Sequence, residues 1–255
     1  MVTVRALVRR PSPRLAEGLL THLERVPVDF ELARRQWQQY VDALTAAGWS
    51  TVEVPPADDC PDGVFVEDTM VVYGNLAVIA RAGADERRPE AAEAERAVAA
   101  QGYEIAHVAD PGTFDGGDIL KVGSTVYVGL GGRTNQAGID QLRQHLEPLG
   151  AEVVAVPVQK VLHLKSAVTA LPDGTVIGYE PLTDNPAAFP EFLAVPEEGG
   201  AHVVLLGEDR LLMAASAPKT AELFRERGYT PVVVDISEFE KLEGCVTCLS
   251  VRLRS

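Results

Sequence analysis

The sequence predicts an α/β protein built from five strand–helix–strand units that stack or close into a ring. Two observations predict it. The order strand, helix, glycine, strand returns along the chain, and each copy, about 50 residues in a chain of 255, is too small to fold alone. A third observation points to function: a short extended segment carrying polar residues follows the last strand of four of the units. No Pro/Gly-rich linker separates the units, so a single domain over residues 1–255 is expected.

The first unit opens with strand-like alternation over Val4–Val8. Asp29 then caps a helix whose apolar positions include Phe30, Leu32, Ala33, Trp37, Tyr40, Val41 and Leu44; Gly48 ends it and a strand follows at 51–54. The second unit has a strand at 76–80, a helix opened by Pro89 and closed by Gly102, and a strand at 105–108. The third has a strand at 125–128, a helix capped by Asn135 and followed by Gly150, and a strand at 152–156. The fourth reads as a strand at 175–179, a short helix at 189–193 and a strand at 203–206. The fifth reads as a strand at 210–214, a helix from Pro218 to Arg227 ended by Gly228, and a strand at 231–235. A doubly wound sheet alternates in the same way and, on alternation alone, is the commoner architecture. The turn Pro172-Asp173-Gly174-Thr175 indicates hairpins, which favour mixed sheets.

Composition excludes several classes. Lys and Arg total 23 against 37 Asp and Glu, a net charge of −14, so no basic stripe exists to bind nucleic acid. With 46% hydrophobic residues the chain buries enough apolar surface to offset the entropy of ordering. No stretch approaches about 18 apolar residues, and Arg5, Arg9 and Arg10 interrupt the first ten, so neither membrane association nor a secretory signal is expected. Cys60, Cys245 and Cys248 are too few for a disulfide framework and fit a reducing cytoplasm. The acidic balance mainly keeps the protein soluble, and it tolerates a cationic small substrate.

The polar segments are Asp62 through Glu67-Asp68-Thr69, Asp115-Gly116-Gly117-Asp118, His163-Leu164-Lys165-Ser166 and Thr247-Cys248-Leu249-Ser250; in the fourth unit the matching place, Gly207-Glu208-Asp209, is a plain turn. In a closed ring, equivalent positions converge on one axis, so a thiol, an imidazole and several carboxylates would share one site. Each has a plainer reading. Cys248 lies in an apolar segment, 246–253, read as a strand, where most cysteines are inert core. Cys245 and Cys248 form a Cys-x-x-Cys pair, but a thioredoxin-type pair opens a helix and a structural zinc needs four ligands. His163 alone is more often a satisfied core or surface residue; beside a cysteine it is a candidate acid and base. The Asp115–Asp118 segment reads either as a turn using unusual glycine angles or as a close approach to a ligand. Arg87 and Arg133 lie in connections, where arginine is usually solvated but also serves as the partner of a carboxylate.

These segments, together with Phe65-Val66, Gly129 through Arg133-Thr134-Asn135-Gln136, Leu162 and Gly244, resemble the dimethylarginine dimethylaminohydrolase family of the guanidine-modifying pentein superfamily. The resemblance runs nearly end to end. It implies a single-domain, five-fold pseudosymmetric α/β propeller (the pentein fold), in agreement with the repeat count. It implies hydrolysis of Nω-methylated L-arginines to citrulline with Cys248 as nucleophile, His163 as acid and base, and Asp115 as the carboxylate that orients the histidine. It further implies substrate contacts from Asp68 and Glu67 to the guanidinium, from Asp62 and the carbonyl of Leu20 to the ammonium, from Arg87 and Arg133 to the α-carboxylate, and from the carbonyl of Leu242. No cofactor is needed for this chemistry and no metal motif argues for one; the partner expected is a small molecule. A homodimer is the commonest assembly, though the sequence leaves oligomeric state open. The alternatives are an arginine deiminase or another guanidine hydrolase on the same scaffold, and a non-catalytic amino-acid-binding protein. Deiminases of this type are usually longer.

Overall fold

The computed structural model describes residues 4–254; residues 1–3 and 255 of the expected 1–255 domain lie outside the described residues. The first blade contains β1 (Val4–Val8), α1 (Phe30–Ala46) and β2 (Ser50–Glu53). The second contains β3 (Met70–Tyr73), β4 (Leu76–Ile79), α2 (Ala91–Ala99) and β5 (Glu104–His107). The third contains β6 (Ile119–Val122), β7 (Thr125–Leu130), α3 (Gln136–Leu146) and β8 (Glu152–Pro157). A short α4 (Leu164–Ala167) leads into the fourth, β9 (Val168–Ala170), β10 (Val176–Gly178) and β11 (Phe192–Ala194). The fifth holds β12 (Val203–Gly207), β13 (Arg210–Ala214), α5 (Pro218–Glu226) and β14 (Thr230–Val234). After α6 (Ser237–Glu240), the strand β15 (Val251–Arg254) returns to the first blade and pairs antiparallel with β1, Leu7 opposite Val251.

Among the described residues each blade is a three-stranded sheet with one antiparallel and one parallel pair. Successive side chains of a strand point to opposite faces, and here both faces are apolar because each meets a neighbouring blade. Leu7 and Val251 of the first blade pack with Met70 and Val72 of the second. Val71 and Val78 pack with Ile119 and Val126 of the third. Leu120 and Tyr127 pack with Val168 and Val176 of the fourth. Leu171 and Ile177 pack with Val203 and Leu211 of the fifth. Val204 and Leu212 pack with Ala6 and Val8, which closes the ring. The fold is therefore the five-fold α/β propeller, and the doubly wound alternative is excluded.

The expected helix ends hold: Asp29 accepts from Leu32 N–H at 2.9 Å and Asn135 from Gly138 N–H at 2.8 Å. Gly48 and Gly150 end the helical segments of their units at φ 89°, a conformation that favours glycine. Four corrections apply. The first strands β3, β6 and β9 were not foreseen; they are three or four residues long. The helix expected at 189–193 is absent, and Phe192–Ala194 is the strand β11, paired in parallel with β10. The strand at 203–206 opens the fifth blade rather than closing the fourth, so Gly207-Glu208-Asp209 is a hairpin turn; the true equivalent of the polar segments is the turn Glu198–Ala201. Finally, Cys248 precedes a strand that begins only at Val251.

Candidate active site

Each polar segment occupies the turn just before the first strand of a blade. Glu67 and Asp68 precede β3, Asp115 and Asp118 precede β6, His163 precedes β9 and Cys248 precedes β15. Pseudosymmetry thus brings four different turns to one end of the ring. Cys248, His163, Asp62, Asp68, Arg87, Arg133 and Leu242 line one cavity there. Asp115, fully buried, stands behind His163, whose Nε2 lies 3.0 Å from its Oδ2. Gly83 N–H donates to the other Asp115 oxygen at 3.0 Å. Asp68 lies 3.8 Å from His163 Nδ1 and accepts from Gly117 N–H at 2.9 Å.

Burial alone would lower the His163 pKa, but the charge of Asp68, the bond to Asp115 and the charge of Asp118 outweigh it and raise the value to about 9. Burial likewise pushes Asp68 up, yet His163, Arg87 and Lys165 hold its carboxyl well below the usual range. At neutral pH the cluster is an imidazolium flanked by carboxylates. Oxygen and nitrogen atoms of Asp68, Asp115 and His163 all lie within 4.8 Å of one another, a spacing a cation could use. Their lone pairs, however, already accept from Arg87, Gly117, Gly83 and His163. Contact with Cys245, burial and the charges of Cys245, Glu67 and Asp68 all push the Cys248 thiol up.

Neither glycine between Asp115 and Asp118 has a positive φ, so close approach is the reason for both. A Cβ on Gly117 would sit 2.6 Å from His163 Nδ1 and 2.7 Å from Asp68 Oδ1. Gly117→Ala is expected to displace the imidazole and lower kcat by about 10²-fold, with little change in far-UV circular dichroism.

The two arginines differ. Arg87 is saturated: it donates to both Glu90 oxygens at 3.0 and 2.8 Å and to Asp68 at 2.6 Å. Arg133 Nη1 is buried without a hydrogen-bond partner, 3.7 Å from Asp115 Oδ2. Two further expectations shift. Glu67 does not line this cavity; its carboxylate pairs with Lys165 at 2.5 Å and with Arg252, and it faces a separate cavity with Lys121. The side chain of Leu20, whose carbonyl was the expected contact, packs against the apolar cluster of the first and fifth blades, and its neighbour Leu19 lines the cavity.

Sequence reasoning assigned no role to Asp118, Glu90 or Glu243. Asp118 accepts from Thr134 Oγ1 at 2.6 Å and from Leu164 N–H at 2.9 Å, which fixes the turn presenting His163; burial raises its pKa to about 6. Glu90 completes the clamp on Arg87. Glu243, at φ 60°, accepts from Thr21 N–H at 2.8 Å and His22 N–H at 2.6 Å, while Asp62 accepts from Leu19 N–H at 3.0 Å. These bonds hold residues 19–22 at the rim of a cavity that Leu19 lines and that has about 10 Å³ of free space, the room one water needs. Glu243→Ala is expected to loosen the rim, seen as faster amide hydrogen exchange across residues 19–22, and to change KM more than kcat.

A closed five-blade ring with a cysteine, a histidine and paired carboxylates at one end defines a guanidine-modifying enzyme of the pentein superfamily. A family model described as Arginine deiminase matches residues 31–193. The chain is 70% identical over 254 residues to N(G),N(G)-dimethylarginine dimethylaminohydrolase of Streptomyces coelicolor, covering 100% of this chain and 98% of that protein. Solved structures agree. Dimethylarginine dimethylaminohydrolase in an adduct with S-methyl-L-thiocitrulline has a TM-score of 0.90 at 32% identity, covering 99% of this chain and 100% of that one. A cysteine-to-serine mutant of the Pseudomonas aeruginosa enzyme complexed with citrulline has a TM-score of 0.90 at 31% identity, with the same coverage. The chain belongs to the dimethylarginine dimethylaminohydrolase family.

Proposed function

We propose that the chain hydrolyses Nω-methylated L-arginines to L-citrulline and dimethylamine or methylamine, through a thiouronium intermediate on Cys248. The observation that carries this reading is the single cavity lined by Cys248, His163, Asp62, Asp68 and Arg133. A guanidinium carbon is a poor electrophile because its charge is delocalised. Asp68 holds the cation and Asp62 the ammonium, while the unpartnered Nη1 of Arg133 suits the α-carboxylate. Arg87, already neutralised by Asp68 and Glu90, serves chiefly to fix Asp68.

The bound cation lowers the pKa of the Cys248 thiol, which gives its proton to solvent, and the thiolate attacks the guanidinium carbon. His163, protonated at neutral pH, gives its proton to the departing amine. The neutral imidazole then takes one proton from water, whose oxygen attacks the thiouronium carbon; collapse breaks the C–S bond, and the remaining proton on that oxygen leaves as the citrulline carbonyl forms, returning Cys248 to its thiol. Asp115 orients His163 throughout.

This reading is tested by acid-quenching the enzyme during turnover of asymmetric dimethylarginine and measuring intact mass. A covalent adduct on residues 242–252, absent from the resting protein, is expected; no adduct at any quench time, despite turnover, would contradict the intermediate. The name of the matching family model favours a second reading, deimination of L-arginine by the same Cys248, His163 and Asp115; the two differ in the amine released. Among the described residues no helix is long and apolar enough to cross a membrane. We propose a cytoplasmic location.

A further inference from the structure

The reaction leaves Cys245 unused, although it lies against the nucleophile. Residues 245–248 form a β-turn in which Cys248 N–H donates to Cys245 O at 3.1 Å. Such a turn holds its first and fourth Cα atoms within about 7 Å, and a disulfide takes about 4.4–6.8 Å. The two Sγ atoms are 3.3 Å apart, against about 2.05 Å in a disulfide. Both cysteines are free. The backbone is therefore already shaped for the bond, and only a small rotation of the side chains separates the thiols from it.

The pair also stands between two cavities. Cys248 faces the substrate site, whereas Cys245 lines a second, larger cavity of about 590 Å³ together with Ser166, His202 and Glu240. Leu162, Glu243 and Gly244 border both. A small oxidant can thus reach Cys245 without passing through the substrate site. Cys60, the third cysteine, belongs to neither cavity.

We propose that Cys245 and Cys248 are an oxidation site, converted by hydrogen peroxide into an intramolecular disulfide that withdraws the nucleophile and is reversed by a thiol reductant. The Cys245 thiolate attacks peroxide, forming an S–O bond, breaking the O–O bond and releasing hydroxide. The sulfur of Cys248 then attacks the sulfenic sulfur of Cys245, forming the S–S bond and expelling a second hydroxide. The two thiol protons convert both hydroxides to water, so two thiols and one peroxide give one disulfide and two waters. The hydrogen bond from Cys248, opposed by burial and aided by His202 and Thr247, lowers the Cys245 pKa to about 5, which suits it to the first step. The loss of activity rests on the reading of Cys248 as nucleophile; the disulfide itself does not.

The whole protein, reduced and desalted, is treated with hydrogen peroxide, blocked with iodoacetamide and digested with trypsin. Cleavage after Lys241 and Arg252 leaves both cysteines on one peptide, residues 242–252. The expected result is an unalkylated peptide two hydrogens lighter than its reduced form, with Cys60 still alkylated. Activity is lost in proportion and returns with dithiothreitol. In Cys245→Ser the lighter peptide does not form and peroxide inactivation becomes irreversible, because Cys248 has no resolving thiol. Cys248 recovered as a sulfinic acid beside an alkylated Cys245, or both thiols alkylated after peroxide, would overturn the proposal. A disulfide with activity intact would leave the oxidation site standing and remove Cys248 from the mechanism instead.

Discussion

Cys248→Ser is expected to lower turnover of asymmetric dimethylarginine by on the order of 10⁴–10⁶-fold, the scale reached when a nucleophile that acts with its base is removed. The substitution exchanges one chalcogen for another in a buried turn, so fold and substrate contacts persist. What is lost is the thiolate. A serine hydroxyl in the same place has no adjacent neutral base, since His163 is held protonated by Asp68 and Asp115. Titration calorimetry with citrulline should give a Kd within a few-fold of the parent, separating loss of chemistry from loss of binding. Cys245→Ala provides the contrast: it should retain turnover. Equal losses in the two variants would point to a redox pair rather than a hydrolase.

The second large effect concerns the proton. Removal of His163 by substitution with alanine should lower kcat by about 10²–10⁴-fold, the usual contribution of a positioned acid and base. In the intact enzyme its folded pKa, about 9, lies above the ordinary value of 6.5. The proton donor is therefore fully formed at neutral pH, and kcat should decline as pH rises through about 9. The same group adds stability that is fully present below 6.5 and is lost as pH rises through about 9. Asp115→Asn removes the negative charge beside Nε2 and leaves one acceptor oxygen to be shared between Gly83 N–H and the imidazole, so the alkaline limb should move to lower pH. A pH–rate profile of the two enzymes checks this; an unmoved limb would mean that another group sets it.

The ring and the four chemical turns were legible because both rest on local signals. Caps at Asp29 and Asn135, glycines at Gly48, Gly102, Gly150 and Gly228, and strands longer than four residues all declare themselves. The strands β3, β6 and β9 did not, because each is only three or four residues long and runs on directly from a site-bearing turn, too short to show a period of its own. β11 read as a helix because three residues of Phe-Leu-Ala carry no period; pairing with β10 decides them. In the site, residue types were readable but partners were not. Glu67 and Asp68 are adjacent on a 3-10 turn, so their side chains diverge, one to Lys165 and Arg252 and the other to His163 and Arg87. Likewise, the placement of Leu19 at the cavity depends on Asp62 capturing its amide, a contact across 43 positions. Nothing local marks Glu90 or Glu243, because only the tertiary structure buries one on Arg87 and sets the other against the amides of Thr21 and His22.

Product analysis after incubation with asymmetric dimethylarginine and, separately, with L-arginine tests the account most directly. Citrulline with dimethylamine from the first, and no comparable product from the second, is the predicted result. Citrulline and ammonia from L-arginine alone would contradict the methylarginine assignment while leaving Cys248 and His163 in place, and silence on both would contradict the proposed reaction itself.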